Sequence, residues 1–318
     1  MKNLDVIALG ELLIDFTENG FSANGNPLLE ANPGGAPCNV LAMLQNLGKK
    51  TAFIGKVGKD AFGDYLKDTV CQAGIDVTNL IQDATVPTTL AFVHTAADGD
   101  RSFSFYREPG ADMMLSESEI DYSQIADAKI FHFGTLSMTH DGVRAATIKA
   151  VDYAKEHGLL ISFDPNYRPL LWKKEETAKE MIRYGCSVCD ILKISDDEIT
   201  FITGKDTVEE AISLFLEMHQ PKLMCVTCGK NGSIAIYKDM RVACDAVLRP
   251  DTIETTGAGD TFMGCMLNYV LEHGIENLTE DDLRRMQQFA AMAASIITTR
   301  KGALKVMPTK NEIRADEL

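Results

Sequence analysis

The chain has 318 residues, and its hydrophobic share of 45% is enough to bury the core of one large domain. Its formal charge of −15 at pH 7 argues against nucleic acid or an anionic membrane as a partner, because both require clustered positive charge. An acidic chain can still bind phosphate locally through backbone N–H groups and Mg²⁺.

The eight cysteines are scattered and form neither a disulfide ladder nor paired ligand sets. Cys186 and Cys189 have the C-x-x-C spacing, but they lie where a helix end runs into a predicted strand, so buried reduced thiols are favoured over a redox pair. No basic leader with an apolar stretch opens the chain, and no segment reaches ~20 uninterrupted apolar residues. We therefore expect a cytoplasmic protein.

Short apolar runs alternate with helix-period segments along most of the chain, beginning with an apolar run at residues 4–10. This alternation predicts an α/β fold with a mostly parallel sheet, helices on both faces and ligands at the carboxyl ends of the strands. Further strands are predicted near residues 51–55, 129–133, 159–163, 190–194 and 222–227, and helices near 36–47, 60–73, 141–157, 175–184, 207–218, 259–273 and 280–298.

Two stretches interrupt the alternation. Residues 12–30 are polar with brief apolar runs, and residues 88–108 alternate apolar and polar side chains about an Asp-Gly-Asp turn, as a hairpin does. We predict that segments of about 12–32 and 88–112 form a small β-sheet lid over a substrate, the alternative being an ordinary exposed ribbon. No repeat or Pro-rich linker divides the chain, which predicts a single domain over residues 1–318.

The most informative segment is ETTGAGDTFMGCML, residues 254–267. Gly257, Ala258 and Gly259 are small enough for a turn to expose successive N–H groups, and an amphipathic helix follows, so the turn can hold an anion. Asp260 would repel that anion, and its expected role is to accept a proton from a nucleophilic hydroxyl. The alternative is a plain helix N-cap. A Walker-type loop is excluded because its Lys is missing.

This segment resembles the second signature of the ribokinase-type carbohydrate kinases, the pfkB family, and NPGGAPCNVLAMLQNLG at residues 32–48 resembles the first. The resemblance runs from the first strand to residue 303. It implies a ribokinase-like three-layer α/β/α fold with a small β-sheet lid, and an ATP-dependent transfer of phosphate to a sugar hydroxyl. Within the first signature it assigns Gly34, Gly35 and Asn39 to substrate.

The resemblance assigns further residues. Asp15 matches the family carboxylate that hydrogen-bonds two sugar hydroxyls, the alternative being a surface charge at a strand end. Glu198 matches a carboxylate that acts on Mg²⁺ through water, the alternative being a first-turn helix acid. The residues assigned to the nucleotide are Lys193, Ser195, Thr227, Gly229 and Gly232.

The segment after the last predicted helix, residues 297–303, resembles the family loop that offers backbone carbonyls to a monovalent cation. The family usually has Asp where this chain has Glu254, and Val306 falls where a hydroxyl ligand can occur, so activation by K⁺ is a hypothesis. The residues that would form this cation site are Glu254, Thr256, Ile297, Arg300 and Gly302.

The sugar is inferred from two loops that resemble those of fructokinases. Residues 101–115 would turn Tyr106 and Arg107 toward the pocket, and residues 164–172 would bring Arg168 there. This favours phosphorylation of D-fructose to fructose 6-phosphate. Each arginine could instead pair with a nearby acid such as Glu108 or Asp164.

Other substrates and other classes stay open. Arginines would also suit the carboxylate of 2-keto-3-deoxygluconate, and nucleosides, including inosine and aminoimidazole riboside, are further alternatives, whereas Phe-His-Phe-Gly-Thr at 131–135 disfavours ribose. A non-catalytic sugar- or nucleotide-binding regulator would not need Asp260. An NAD-dependent oxidoreductase is disfavoured because no G-x-G-x-x-G follows the first strand. An apolar lid hairpin with an exposed edge also predicts a homodimer through the lid.

Overall fold

The computed structural model describes residues 2–95 and 101–313. These residues form two β-sheets and a set of α-helices. The strands are β1 Leu4–Leu9, β2 Leu13–Phe21, β3 Pro27–Gly34, β4 Thr51–Gly58, β5 Leu80–Asp83, β6 Leu90–Thr95, β7 Arg101–Tyr106, β8 Ala128–Phe133, β9 Leu160–Phe163, β10 Ile191–Ser195, β11 Leu223–Thr227, β12 Ser233–Tyr237 and β13 Met240–Cys244. The helices are α1 Ala36–Asn46, α2 Ala61–Gln72, α3 Tyr122–Ala126, α4 Asp141–Glu156, α5 Glu175–Val188, α6 Asp196–Thr203, α7 Val208–Met218, α8 Ala258–His273 and α9 Glu280–Ile297.

The large sheet has nine strands in the order β13-β12-β11-β10-β9-β8-β1-β4-β5. The strands from β11 through β5 are parallel, and β12 and β13 extend the sheet antiparallel at one edge. The chain leaves β1 toward β4 on one side and later returns to β8 on the other. A crevice is expected at the point where the strand order reverses, which lies beside β1 at the carboxyl ends of the strands.

Helices cover both faces of the large sheet because successive side chains of each strand point to opposite faces. In β1, Val6 and Ala8 are buried in the core beneath α1, α2, α8 and α9, whereas Ile7 and Leu9 are buried beneath α4 to α7. The predicted three-layer α/β/α architecture is therefore confirmed. None of the helices in the described ranges combines the length and the apolar character that crossing a membrane requires.

The predicted helices match α1, α2, α4, α5, α7, α8 and α9, and each predicted strand matches a strand of the sheet. Sequence reasoning missed β5, β12, β13, α3 and α6. The last of these is only eight residues long and begins directly after β10, where Ser195 and Glu198 form a capping box. Such short elements carry too little periodicity to be read from the sequence.

A separate small sheet contains four strands in the order β3-β2-β6-β7. Its two antiparallel hairpins, β2–β3 and β6–β7, are joined by parallel pairing of β2 with β6. These strands come from the two stretches that interrupt the βα alternation, as predicted. The Asp-Gly-Asp turn predicted at residues 98–100 falls outside the described part of the chain.

Candidate active site

Helix α8 begins at the Gly-Ala-Gly turn. Gly257 is the N-cap residue with φ of +77°, a left-handed conformation that glycine adopts readily. The amide of Ala258 donates to the carbonyl of Thr255 at 3.2 Å, so one of the three N–H groups expected to face a ligand is already used. The amides of Gly259 and Asp260 follow in the first turn, where a helix offers no backbone acceptor. The start of α8 is thus suited to an anion.

Asp260 is the third residue of α8 and is only 9% exposed. It is not the N-cap, and its Oδ2 accepts a hydrogen bond from Asn39 Nδ2 of α1 at 2.8 Å. Burial raises the pKa of Asp260 to about 6, and the negative charge of Asp164 adds to this, whereas the Asn39 hydrogen bond and the cations Lys193 and Arg168 oppose it. This carboxylate can accept a proton near neutral pH.

Asn39 brings a second polar atom to Asp260. Its Oδ1 is buried and has no hydrogen-bond partner within residues 2–95 and 101–313. A buried acceptor of this kind carries a free-energy cost unless a ligand supplies the missing donor. A hydroxyl group placed beside Asp260 would supply it.

Lys193 of β10 lies directly beside the start of α8. Its Nζ makes a buried ion pair with Asp164 Oδ2 at 2.8 Å, and a Cβ atom on Gly259 would lie only 3.0 Å from that nitrogen. Burial alone would lower the pKa of Lys193, but the charges of Asp164 and Glu198 outweigh burial and raise it. Lys193 is therefore a fixed cation next to the Gly-Ala-Gly turn.

Asp15 on β2 faces the same region. A Cβ atom on Gly34 would lie 2.3 Å from Asp15 Oδ2, so the predicted glycine is needed to make room for the carboxylate. Burial raises the pKa of Asp15 to about 7, the charge of Arg168 opposes that rise, and the charges of Glu254 and Asp260 add to it. The electrostatic coupling with Arg168 and Asp260 argues against an isolated surface charge at the strand end.

Gly35 serves the backbone of the same site. Its φ is +141°, and a Cβ atom there would lie 2.3 Å from the carbonyl oxygen of Glu11. Only glycine fits this close approach of two backbone segments. Glu11 itself was missed by sequence reasoning: it is buried, its Oε1 accepts from the Ala36 amide at 2.8 Å, and burial raises its pKa to about 7.

The register of the small sheet corrects the predicted orientation of Tyr106. Asp15 is paired with Ala91, and Ala91 is paired with Phe105, so these three side chains share one face. Tyr106 lies on the opposite face, is 67% exposed and contacts the ring of Phe92 edge-on. Phe105, which sequence reasoning missed, therefore occupies the face that Tyr106 was expected to occupy.

Arg107 is also placed differently from the prediction. Its guanidinium is 5% exposed and donates to Asp112 Oδ2 through Nε at 2.8 Å and through Nη2 at 2.6 Å. Nη2 also donates to the Leu136 carbonyl at 3.0 Å, and Nη1 donates to Thr139 Oγ1 at 2.8 Å. In this arrangement the guanidinium binds protein groups, with Asp112 in place of the expected acid, and contact of Arg107 with a sugar stays a prediction.

The residues predicted to bind the nucleotide lie at the carboxyl ends of two neighbouring strands. Ser195 of β10 is paired with Thr227 of β11, as parallel strands require. The loop after β11 turns through Gly229 with φ of +52° and Gly232 with φ of +92°. A Cβ atom on Gly232 would lie 2.1 Å from the Cys244 carbonyl, so this turn also requires glycine.

Glu198 is more deeply engaged in the fold than a free metal ligand. Its Oε2 accepts from the Ser195 amide at 2.8 Å, and its Oε1 accepts from the Tyr167 amide at 2.7 Å. Both oxygens keep further lone pairs, so a contact with Mg²⁺ through water still fits. The described residues contain no group of three or more His, Cys, Asp or Glu side chains able to hold a metal by themselves.

The predicted cation segment is joined to the loop after α9. Glu254 Oε1 accepts from the Gly302 amide at 2.8 Å, and the Glu254 amide donates to the Thr298 carbonyl at 3.2 Å. The Ile297 carbonyl accepts from the Arg300 amide at 3.0 Å, while the Arg300 side chain reaches the Val306 carbonyl. The structure therefore brings Glu254 beside Gly302, and it engages Glu254, Ile297 and Arg300 in bonds within the protein.

Comparison with known proteins identifies the family of this chain. The model of the pfkB family carbohydrate kinases matches residues 3–310. The chain belongs to this family. It is accordingly a phosphotransferase with a hydroxyl acceptor.

Named relatives of this kinase include fructokinases. It is 39% identical to the probable fructokinase-2 of Arabidopsis thaliana over 96% of this chain and 94% of the relative. Its fold resembles the fructokinase of Xylella fastidiosa with bound ATP, with a TM-score of 0.85, 29% identity and coverage of 97% and 96% of the two chains. It also resembles the fructokinase of Vibrio cholerae bound to fructose, ADP and calcium, with a TM-score of 0.86, 26% identity and 98% coverage of each chain.

Proposed function

We propose that this kinase phosphorylates D-fructose to fructose 6-phosphate with ATP, and that Asp260 is the general base. The observation that carries the proposal is the buried carboxylate of Asp260 at the start of α8, whose pKa of about 6 suits a base near neutral pH. The fructokinases among its relatives support fructose as the sugar. The proposed base and the proposed anion site are adjacent in the chain, so one helix start provides both.

The proposed reaction proceeds by in-line transfer. The sugar hydroxyl oxygen forms a bond to the γ-phosphorus of ATP as the bond to the ADP oxygen breaks, and the hydroxyl proton moves to the Asp260 carboxylate. The amides of Gly259 and Asp260, together with the cation of Lys193, stabilise the charge on the transferring group. Asn39 orients Asp260 and can accept a second hydrogen bond from the sugar.

Mg²⁺ bound to the nucleotide would neutralise phosphate charge during transfer. The strand ends carrying Ser195 and Thr227 offer the nucleotide a place beside Lys193. Glu198 would influence the metal through water, while its direct contacts hold the loop that carries Arg168. We also propose that the small sheet acts as a lid, with Asp15, Ala91 and Phe105 facing the sugar.

Initial rates with fructose, tagatose, ribose, inosine and 2-keto-3-deoxygluconate at saturating MgATP test the choice of sugar. We expect the highest kcat/KM for fructose. A higher value for 2-keto-3-deoxygluconate or for a nucleoside, aminoimidazole riboside included, would replace fructose as the substrate. Absence of ADP formation with every sugar would instead favour a non-catalytic binding protein.

Replacement of Asp260 by Asn should lower kcat by ~10²–10⁴ and change the affinities for fructose and ATP only a few-fold, because it removes a base and keeps the size of the side chain. The folded-state pKa of about 6 lies above the ordinary value, so the charged carboxylate opposes folding above that pH. The variant should be more stable than wild type by about 1–3 kcal/mol at pH 8, with the difference vanishing below about pH 4. Urea unfolding at both pH values measures this difference in stability. In the kinetic and binding assays, parallel losses of binding and turnover would instead show that Asp260 is structural.

The pH dependence of kcat/KM for fructose should follow Asp260. Activity should fall as the pH drops through about 6, because the base must be deprotonated. Asp164→Asn removes a negative neighbour and should shift the acid limb to lower pH, whereas Asn39→Ala removes a hydrogen bond to the carboxylate and should shift it to higher pH. Shifts of the same sign in both variants would contradict the assignment.

Phe105 and Tyr106 provide a matched pair for the lid. Phe105→Ala should raise KM for fructose roughly 10-fold or more, because it removes an aromatic surface from the face that carries Asp15. Tyr106→Ala is the control and should leave KM for fructose within about two-fold, since its ring lies on the opposite face. Steady-state kinetics with both variants measures KM for fructose. A larger increase in KM from Tyr106→Ala than from Phe105→Ala would show that the face with Tyr106 meets the sugar.

We further propose that K⁺ activates this kinase. Activation by K⁺ through the segment joining Glu254 to Gly302 should appear as faster turnover with K⁺ than with Na⁺ or Tris, and equal rates would contradict this proposal.

We also propose a homodimer through the lid, which is supported by the exposed side chains of Phe21, Leu28 and Leu29 on β2 and β3. The molar mass in solution tests the dimer.

A further inference from the structure

The hairpin β6–β7 joins the rest of the molecule through three buried polar side chains: Thr89 before β6, Arg107 after β7, and Asp112 in the following turn. Asp112 Oδ1 accepts from Thr89 Oγ1 at 2.5 Å, and its Oδ2 accepts from Arg107 Nε at 2.8 Å. One carboxylate therefore holds the entry and the exit of the hairpin. We call Thr89, Arg107 and Asp112 the neck cluster.

The neck cluster is also fixed to the large sheet. Arg107 reaches the loop after β8, where it donates to the Leu136 carbonyl and to Thr139 Oγ1. Packing leaves little freedom here, because a Cβ atom on Gly110 would lie 1.8 Å from Thr89 Oγ1. A planar guanidinium with donors in a fixed fork holds such an arrangement better than a flexible ammonium would.

The second hairpin, β2–β3, is anchored next to the first. Glu11, two residues before β2, accepts a hydrogen bond from the amide of Ala36, two residues after β3. Burial raises the pKa of Glu11, the charge of Asp112 adds to this rise, and the charge of Arg107 opposes it. The amide of Ile14 in β2 donates to the carbonyl of Thr89 at 3.2 Å. The strands of both hairpins therefore leave the large sheet from one buried, charged region.

We propose that Arg107 and Asp112 are positioning residues for the sugar site. They fix the neck of the β6–β7 hairpin so that Ala91, two residues after Thr89, and Phe105, two residues before Arg107, stay on the face shared with Asp15. Arg107 acts on the sugar through this register and does not touch it. The proposal rests on the proposed function, since it concerns the sugar side of the same site.

Thr89→Val, Arg107→Met and the double variant test this role. Each single variant should lower kcat/KM for fructose by roughly 10-fold to 100-fold, through KM for the sugar, because a displacement of about 1 Å has this effect on a positioned substrate. KM for ATP should stay within about two-fold. The double variant should resemble Arg107→Met alone, since both changes release the same carboxylate. Arg107→Lys should recover only part of the loss.

A direct contact between Arg107 and the sugar gives the opposite pattern. Thr89→Val would then behave as wild type, and the effects of the two changes would add. Either result would overturn the proposal. Asn79→Leu is a control for general destabilisation, because Asn79 is equally buried and is bonded to Asp121 and Gln124 at the amino end of β5. It should lower the urea midpoint without raising KM for fructose.

Amide hydrogen exchange of the unliganded protein provides a readout that does not depend on the substrate. Peptides from β2 and β6 should exchange faster in Thr89→Val and in Arg107→Met than in wild type or Asn79→Leu. Unchanged exchange in both neck variants would overturn the proposal. If wild type phosphorylates none of the sugars, the proposed function fails, and the exchange experiment still tests the neck cluster separately.

Discussion

The burial of a carboxylate at the start of α8 is the constraint on which this site depends. Removing Asp260 from water raises its pKa, and the neighbouring Asp164 raises it further. Asn39 and Lys193 limit the rise, so the group stays near the border between its charged and neutral forms. The ion pair of Lys193 with Asp164 therefore has two effects: it places a cation beside the helix start and sets the proton affinity of the neighbouring acid.

The small sheet contributes through alternation of its side chains. Asp15, Ala91 and Phe105 share a face only because β2, β6 and β7 are paired in one register, and a slip of one residue would exchange Phe105 for Tyr106. The aromatic side chains of the other face, among them Phe16 and Phe92, stack on each other and fix the sheet from behind. The face with Asp15 is therefore left for a ligand, and the face with Phe16 and Phe92 stabilises the sheet.

Much of the fold could be predicted from the sequence, because long helices and buried strands have a strong periodicity. The segment from Gly257 to Asp260 could also be predicted, since its local chemistry is evident from adjacent residues. What could not be predicted depends on pairing between distant segments. The orientation of Tyr106 follows from strand register, and the partners of Arg107 and Glu198 follow from loops brought together by folding.

The parallel pair of β2 with β6 joins the two hairpins into one plate. Had each hairpin been attached alone, its side chains could have approached a ligand independently. Because they are joined, Asp15 and Phe105 hold one fixed position relative to each other. In the proposed sugar site, recognition of a hydroxyl by Asp15 and coverage of the ring by Phe105 would therefore be a single event, and a sugar without that hydroxyl would lose the aromatic contact as well.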